Sequence, residues 1–198
     1  HMPTLDISDG AFDLLFNTYK EQRQSWGNGQ YLTTSGEISD AARLEAFLKV
    51  IGAAETEIFE KREENDADYV KKKRKWDKRD GKEEGPTDEE IAATEAAKLD
   101  SYDAMIQDII VRHGSDAKFV DGWKMPEKGK KDFKGLYYHE KLKFTPIDID
   151  DHLALRRSYI EGLIWCLAYY YRGCISWGWF YPYHYGPLIS DLTNLPQV

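Results

Sequence analysis

The chain has 198 residues, 41% hydrophobic and 31% charged, with a formal net charge of −8. A mean hydropathy of −0.65 and a pI near 5.2 describe a soluble, helix-rich chain, sized as one domain or one part of a larger enzyme. The acidic balance argues against a stand-alone nucleic-acid binder, which needs a basic footprint to neutralise phosphates. Two cysteines are too few for a disulfide framework, and no apolar run reaches the roughly 18–20 residues of a membrane span. Cys166 and Cys174 sit among apolar neighbours in sequence and are expected to be buried, reduced thiols. His1-Met2 reads as a cloning remnant, so an excised fragment without a signal peptide is expected.

Ser8 and Asp9 offer N-caps for a helix with Phe12, Leu15, Phe16 and Tyr19 at i, i+3, i+4, i+7, running to about Ser25. Gly27-Asn28-Gly29 stops it. Tyr31-Leu32-Thr33 is a short extended piece closed by a turn at Ser35-Gly36. Ser39 then caps a second helix with Leu44, Phe47, Leu48, Ile51, Ile58 and Phe59 on one stripe.

From Glu60 the apolar stripe fades. Residues 60–90 hold ten Lys/Arg and twelve Asp/Glu, so they form a charged arm, either a solvated helix face or a mobile linker. Within it Lys71–Lys75 has the composition of a nuclear-localisation run or a phosphate-contacting patch, although flanking acids nearly cancel its field. Thr87-Asp-Glu-Glu90 is a capping box opening a helix of about 26 residues, with Ile91, Leu99, Tyr102, Ile106, Ile109 and Ile110 inward and an end at His113-Gly114. Residues 114–131, rich in Gly and Lys, read as an exposed loop. Asp132–Leu142 is a short helix with Phe133, Leu136, Tyr137 and Leu142 inward. Thr145-Pro146 turns the chain, and Asp148, Asp150 and Asp151 complement the dipole of a final helix. That helix runs to Arg172, with Leu153, Ile160, Leu163, Leu167 and Tyr170 on its core face and Gly173 at C′. The fold class is mainly α: a single irregular multi-helix bundle over 1–198, with a charged arm and a non-helical aromatic tail over 173–198.

The chemistry is concentrated in that tail. Tyr159–Tyr185 holds eleven of the chain's 27 aromatics, and Trp177–Tyr185 is interrupted only by Gly178, Pro182 and His184. Neither an amphipathic helix nor an alternating strand needs such a composition. Rings this dense pack as a hub or offer stacking faces to flat ligands such as nucleobases. Trp165 and Tyr169–Tyr171 are expected in the core, whereas Trp177-Gly-Trp179 lies on a turn that can leave one ring exposed. Elsewhere the signals are structural. Asp148, Asp150 and Asp151 invite a Mg²⁺ reading but are explained by their place at a helix N-terminus. His139, His152 and His184 have no ligand or nucleophile partner at catalytic spacing. No Gly-rich phosphate loop occurs.

Tyr159-Ile-Glu-Gly-Leu-Ile-Trp165 followed by Tyr169-Tyr-Tyr-Arg-Gly-Cys-Ile-Ser-Trp-Gly-Trp-Phe-Tyr-Pro-Tyr-His-Tyr185 resembles the signature of the XRN family of 5′→3′ exoribonucleases. Leu5-Asp6-Ile-Ser-Asp-Gly-Ala-Phe12, Tyr31-Leu-Thr33, Arg43-Leu-Glu-Ala-Phe-Leu48 and Phe133-Lys-Gly-Leu-Tyr-Tyr138 extend the likeness over essentially the whole chain. It departs from the family pattern at Phe180 and Gly186, and looks closest to a cytoplasmic, fungal-like branch. The resemblance implies the helical middle part of the catalytic core of a Mg²⁺-dependent enzyme degrading 5′-monophosphorylated single-stranded RNA. The metal-binding acids and the 5′-phosphate pocket belong to the family's N-terminal nuclease region. By the same resemblance Trp177, Trp179, Tyr181, Tyr183 and His184 form the RNA-contacting edge, with no catalytic or metal-binding residue, no membrane association and a cytoplasmic location. The competing expectation is a helical interaction module whose aromatic tail is only core packing.

Overall fold

The computed structural model describes the chain except for residues 1, 2, 4, 6–9, 56, 60, 62–64, 66, 67, 74–85, 115, 116, 126–130 and 196–198. The elements are α1 (Ala11–Ser25), β1 (Thr33–Thr34), β2 (Glu37–Ile38), α2 (Ala41–Gly52), α3 (Asp88–His113), α4 (Phe133–Leu142), α5 (Ile149–Arg172) and a 3₁₀ turn (Ile189–Asp191). They fall into two compact units, one formed by residues 1–55 and 148–198, the other by residues 56–147. The mainly helical class holds, with one two-stranded sheet among the described residues.

In the first unit, α1 follows Gly10, whose φ of 79° places it in the left-handed region without a side-chain cap. The expected caps Ser8 and Asp9 lie outside the described residues. β1 and β2 are antiparallel, with Thr34 opposite Glu37. Ser35 and Gly36 between them have φ of 53° and 80°, both positive as a two-residue hairpin requires to match the strand twist. Gly36 is needed twice over, since a Cβ there would come within 2.6 Å of the Tyr171 Cβ on α5. Arg172 Nη2 donates to Glu37 Oε1 at 2.6 Å and ties the hairpin to the end of that helix. The cap of α2 is Asp40 rather than Ser39, one residue later than the sequence indicates. Asp40 Oδ1 accepts from the Ala42 and Arg43 amides at 2.9 and 3.2 Å, while the Ser39 hydroxyl is turned to the Tyr31 carbonyl. Ile58 and Phe59, expected on the same stripe, lie past the end of α2.

The core of this unit is Phe47, Leu48 and Ile51 of α2 packed with Ile189, Leu192 and Leu195 of the C-terminal segment, ringed by Leu14, Leu15, Tyr19, Leu32, Leu44, Tyr159 and Ile160. Burying each of those aliphatic side chains stabilises by roughly 1.5–3 kcal/mol. Polar contacts fix where the segment sits. The Glu55 carboxylate, 2% exposed, accepts the backbone N–H groups of Ile189 and Ser190 at 2.8 and 2.9 Å. Glu45 Oε2 accepts from Leu195 N at 3.0 Å, and buried Arg156 donates from Nη1 to the Asp191 carbonyl at 3.2 Å. Gly52 leaves room for this turn, because a Cβ there would lie 2.8 Å from the Ser190 N and Cα.

Those contacts also set the face that α5 turns inward. His152, Leu155, Arg156 and Ala168 are buried, whereas Leu153 and Tyr170, expected in the core, are exposed. Two polar side chains, His152 and Arg156, occupy inward positions, Arg156 binding the Asp191 carbonyl there, so a reading by hydropathy alone rotates the helix. Asp148 stands at the N-cap of α5 without capping it, and Asp150 and Asp151 lie in its first turn, where the dipole favours acids. Gly173, φ 85°, ends the helix with its N–H on the Tyr169 carbonyl at 3.0 Å, as expected for C′.

In the second unit, the capping box of α3 is formed on both sides, with Thr87 N to Glu90 Oε2 at 2.7 Å and Glu90 N to Thr87 Oγ1 at 3.1 Å. Its buried residues are Tyr102, Ile106 and Ile109. One carboxylate organises the rest. Asp132 caps α4 through the Gly135 N–H at 2.9 Å and accepts the Tyr102 hydroxyl at 2.8 Å and the Trp123 indole N–H at 3.0 Å. Burial first, and the adjacent Asp132 charge second, push the Tyr102 phenol well above its ordinary value. The stretch expected to be an exposed loop is partly tied down: Val120 is buried and its N–H meets the Pro146 carbonyl at 2.8 Å. On α4 the buried positions are Gly135 and Tyr138, not the expected Phe133, Leu136, Tyr137 and Leu142, which are half-buried. Phe133 instead stacks on Phe59 with centroids 6.1 Å apart. In the charged arm, residues 68–73 are helical and Lys71–Lys73 are exposed, whereas positions 74 and 75 lie outside the described residues.

Glu55→Ala removes both acceptors from two enclosed amides and is expected to cost about 2–4 kcal/mol by chemical denaturation, with Glu55→Gln intermediate. An unchanged Glu55→Ala denaturation midpoint would show that the carboxylate does not hold the segment.

Candidate nucleic-acid interface

The aromatic tail folds back along one face of α5, and the spacing of that helix explains which rings meet. Tyr159, Gly162, Trp165 and Tyr169 recur at three- and four-residue steps and so share a face. Trp179 lies over Gly162, where a Cβ would stand 3.0 Å from its Cη2, and stacks on Trp165 with centroids 6.0 Å apart and planes 20° apart. Trp165 stacks in turn on Tyr169 at 5.4 Å and 7°. The result is a column of three rings. The Trp165 indole N–H also donates to the Ser176 carbonyl at 3.1 Å, fixing the residue that precedes Trp177. Further along, Tyr159 and Tyr181 meet edge to face at 5.9 Å, Tyr181 and Tyr183 are 5.6 Å apart, and the Tyr181 hydroxyl donates to the Tyr185 carbonyl at 2.9 Å.

The two tryptophans of the turn therefore have different surroundings. Trp179 is half-buried in the column, while Trp177 is 92% exposed and has no ring or hydrogen-bond partner among the described residues. Tyr181 and Tyr183 are half-buried and His184 is exposed. Phe180 at 74% and Tyr170 at 85% extend the exposed apolar surface. Trp165 and Tyr169–Tyr171 do not form the expected core: Trp165 is half-buried and the three tyrosines are exposed, the buried residue at this end of α5 being Ala168. The cysteines differ from expectation in the same way, Cys166 being exposed and Cys174 half-buried.

Burial pushes the Tyr159 phenol up to about 12, with the Cys166 thiolate adding to the shift. His139 lies edge-on to Tyr102 at 5.8 Å and His152 is buried, so both serve packing. Among the described residues no group of three or more His, Cys, Asp or Glu is arranged to hold a metal ion, and Asp148, Asp150 and Asp151 form no such site. No helix among the described residues is long and apolar enough to cross a membrane. What the arrangement can do is present rings. Gly162 and Ser176, which shape it, were not singled out from the sequence as parts of the site, although a glycine amid large residues in a helix is itself a sign of close approach.

The chain belongs to the Xrn1 helical domain family, which it matches over residues 1–198. A "5′-3′ exoribonuclease 2 homolog" of Drosophila melanogaster is 32% identical over 98% of this chain and 23% of the relative's length. "5′-3′ exoribonuclease 2" of Arabidopsis thaliana is 29% identical over all of this chain and 24% of its own length. "5′-3′ exoribonuclease 1" of Saccharomyces cerevisiae is 57% identical over 62 residues, 31% of this chain and 4% of its own length. The chain thus spans about a quarter of the first two relatives.

The raised Tyr159 value has a consequence at alkaline pH. The folded form keeps its proton above pH 10 while the unfolded chain loses it, so this contribution is complete below pH 10 and is lost as pH rises towards 12. Tyr159→Phe is expected to flatten the fall in unfolding free energy between pH 10 and 12 by about 2 kcal/mol. Parallel pH–stability curves for the two proteins would contradict it.

Proposed function

We propose that this chain is the helical domain of a 5′→3′ exoribonuclease that degrades single-stranded RNA carrying a 5′-monophosphate, and that it forms one wall of the substrate channel. Family membership and the names of the relatives support the reaction class. The observation that carries the role of this part is Trp177, 92% exposed on a turn whose Ser176 carbonyl and Trp179 ring are both held by Trp165. A large apolar ring kept in water costs free energy unless something covers it in function. Stacking on a base stabilises by roughly 1–3 kcal/mol and tolerates any sequence, because every base has a π-face. That suits an enzyme that must process whatever nucleotide comes next. In this reading Trp177 supplies the stacking face, Trp179 stands behind it in the column, and Tyr181, Tyr183 and His184 line the same edge.

The net charge of −8 leaves phosphate recognition to another part of the protein. So does the chemistry. Hydrolysis with Mg²⁺ needs clustered carboxylates, which the described residues do not form, so the ion would be held by the N-terminal nuclease region of the parent protein. This chain's part is binding and orientation, in a cytoplasmic enzyme by the resemblance given above. An interaction module whose tail is only core packing leaves the exposure of Trp177, Tyr170 and Phe180 unaccounted for.

In the whole enzyme, Trp177→Ala is expected to raise KM for 5′-phosphorylated RNA roughly 5- to 100-fold at unchanged melting temperature. Trp179→Ala, which empties the notch over Gly162, is expected to lower the melting temperature. Unaltered turnover in Trp177→Ala would sink the stacking role. The purified 198-residue chain alone is expected not to degrade RNA with Mg²⁺ present, and Mg²⁺-dependent loss of a 5′-phosphorylated oligonucleotide would refute that.

A further inference from the structure

The geometry points to Trp165 as a positioning residue that aims Trp177, an inference that rests on the stacking role just proposed. Trp165 is half-buried on α5, twelve residues before Trp177, and does two separable things. Its ring is the middle member of the Trp179–Trp165–Tyr169 column. Its indole N–H donates to the Ser176 carbonyl at 3.1 Å. That carbonyl belongs to the peptide linking Ser176 to Trp177, so the bond fixes the plane from which the Trp177 backbone departs. On the other side, Trp179 is seated over Gly162. Trp177 and Gly178 are thus held between two anchors that both belong to α5, and both anchors run through Trp165.

This matters because Trp177 itself is 92% exposed and among the described residues nothing packs on it. A side chain with no neighbours takes its direction from its backbone. A loose backbone would present the ring in many orientations, and each productive encounter with a base would bear the cost of ordering it. Gly178 next to it adds freedom that the two anchors remove. A tryptophan at 165 does more than phenylalanine would, since indole adds an N–H at the rim to a large stacking face. Trp165 never touches the strand in this scheme. It acts through Trp177.

Trp165→Phe keeps a ring in the column and removes the donor. In the 198-residue chain the Trp177 amide {¹H}–¹⁵N NOE is expected to be helix-like in the wild type and to fall in Trp165→Phe. In the whole enzyme the same substitution is expected to raise KM for 5′-phosphorylated RNA by about two- to tenfold, with kcat within about twofold, the range of one lost hydrogen bond. If Trp165→Phe does not fold, the wild type decides: a Trp165 indole proton protected from solvent exchange and a rigid Trp177 amide support the inference, and a freely exchanging indole with a mobile amide overturns it. An unchanged Trp177 NOE in a folded Trp165→Phe overturns the positioning role even where Trp177→Ala impairs RNA turnover. A fallen NOE with Trp177→Ala fully active leaves the positioning intact and defeats the stacking reading instead.

Discussion

The Glu55 carboxylate is the central polar anchor of the C-terminal segment, with Glu45 and Arg156 holding it further along. Glu55 lies just past α2 and reaches the backbone of Ile189 and Ser190, more than 130 positions later, with both oxygens. The two N–H groups it satisfies sit where no strand or long helix could pair them, and leaving them unpaired in an enclosed site would cost about 1–3 kcal/mol each. Once they are satisfied, Leu188, Ile189, Leu192 and Leu195 can enter the core beside Phe47, Leu48 and Ile51. Gly52, which lets the turn approach, and Arg156, which binds the Asp191 carbonyl, complete the fit.

The consequence for function lies upstream of that anchor. The chain leaves α5 at Gly173 and is captured again from Pro187 onward, so residues 174–186 span two fixed ends. Within the span the rings divide. Trp179 and Tyr181 are drawn onto α5 by Gly162, Trp165 and Tyr159, and each contact is an aromatic pair whose geometry is worth about 0.5–1.5 kcal/mol beyond its buried area. Trp177 and Phe180 are left facing water. Anchoring both ends and seating Trp179 and Tyr181 on α5 leaves Trp177 and Phe180 directed outward. Contact residues of a binding surface need that property more than they need burial.

Much of this was legible in the sequence where one local rule decides. The Thr87–Glu90 capping box, the 26-residue span of α3, the Ser35-Gly36 turn and Gly173 at the end of α5 each follow from a few neighbouring residues with a specific backbone requirement. The aromatic signature likewise marked the tail and the family. What could not be read was anything set by a distant partner. Glu55, Glu45 and Arg156 look like surface charges in a string of letters, yet they bind backbone groups that lie far away in the chain. Asp132 looks like a cap and is also the acceptor for Tyr102 and Trp123. Because His152 and Arg156 face inward, counting apolar positions along α5 put Leu153 and Tyr170 on the wrong side. The tyrosine triplet, expected in the core, is exposed.

The division of labour between the two tryptophans is the central claim, and a structure of the whole enzyme with single-stranded RNA in its channel tests it most directly. The account predicts a base lying parallel to the Trp177 indole at about 3.5–4.0 Å, with Trp179 still stacked on Trp165 over Gly162. Trp177 packed against the enzyme's own side chains, or lying away from the strand while Trp179 swings out to meet a base, would contradict it.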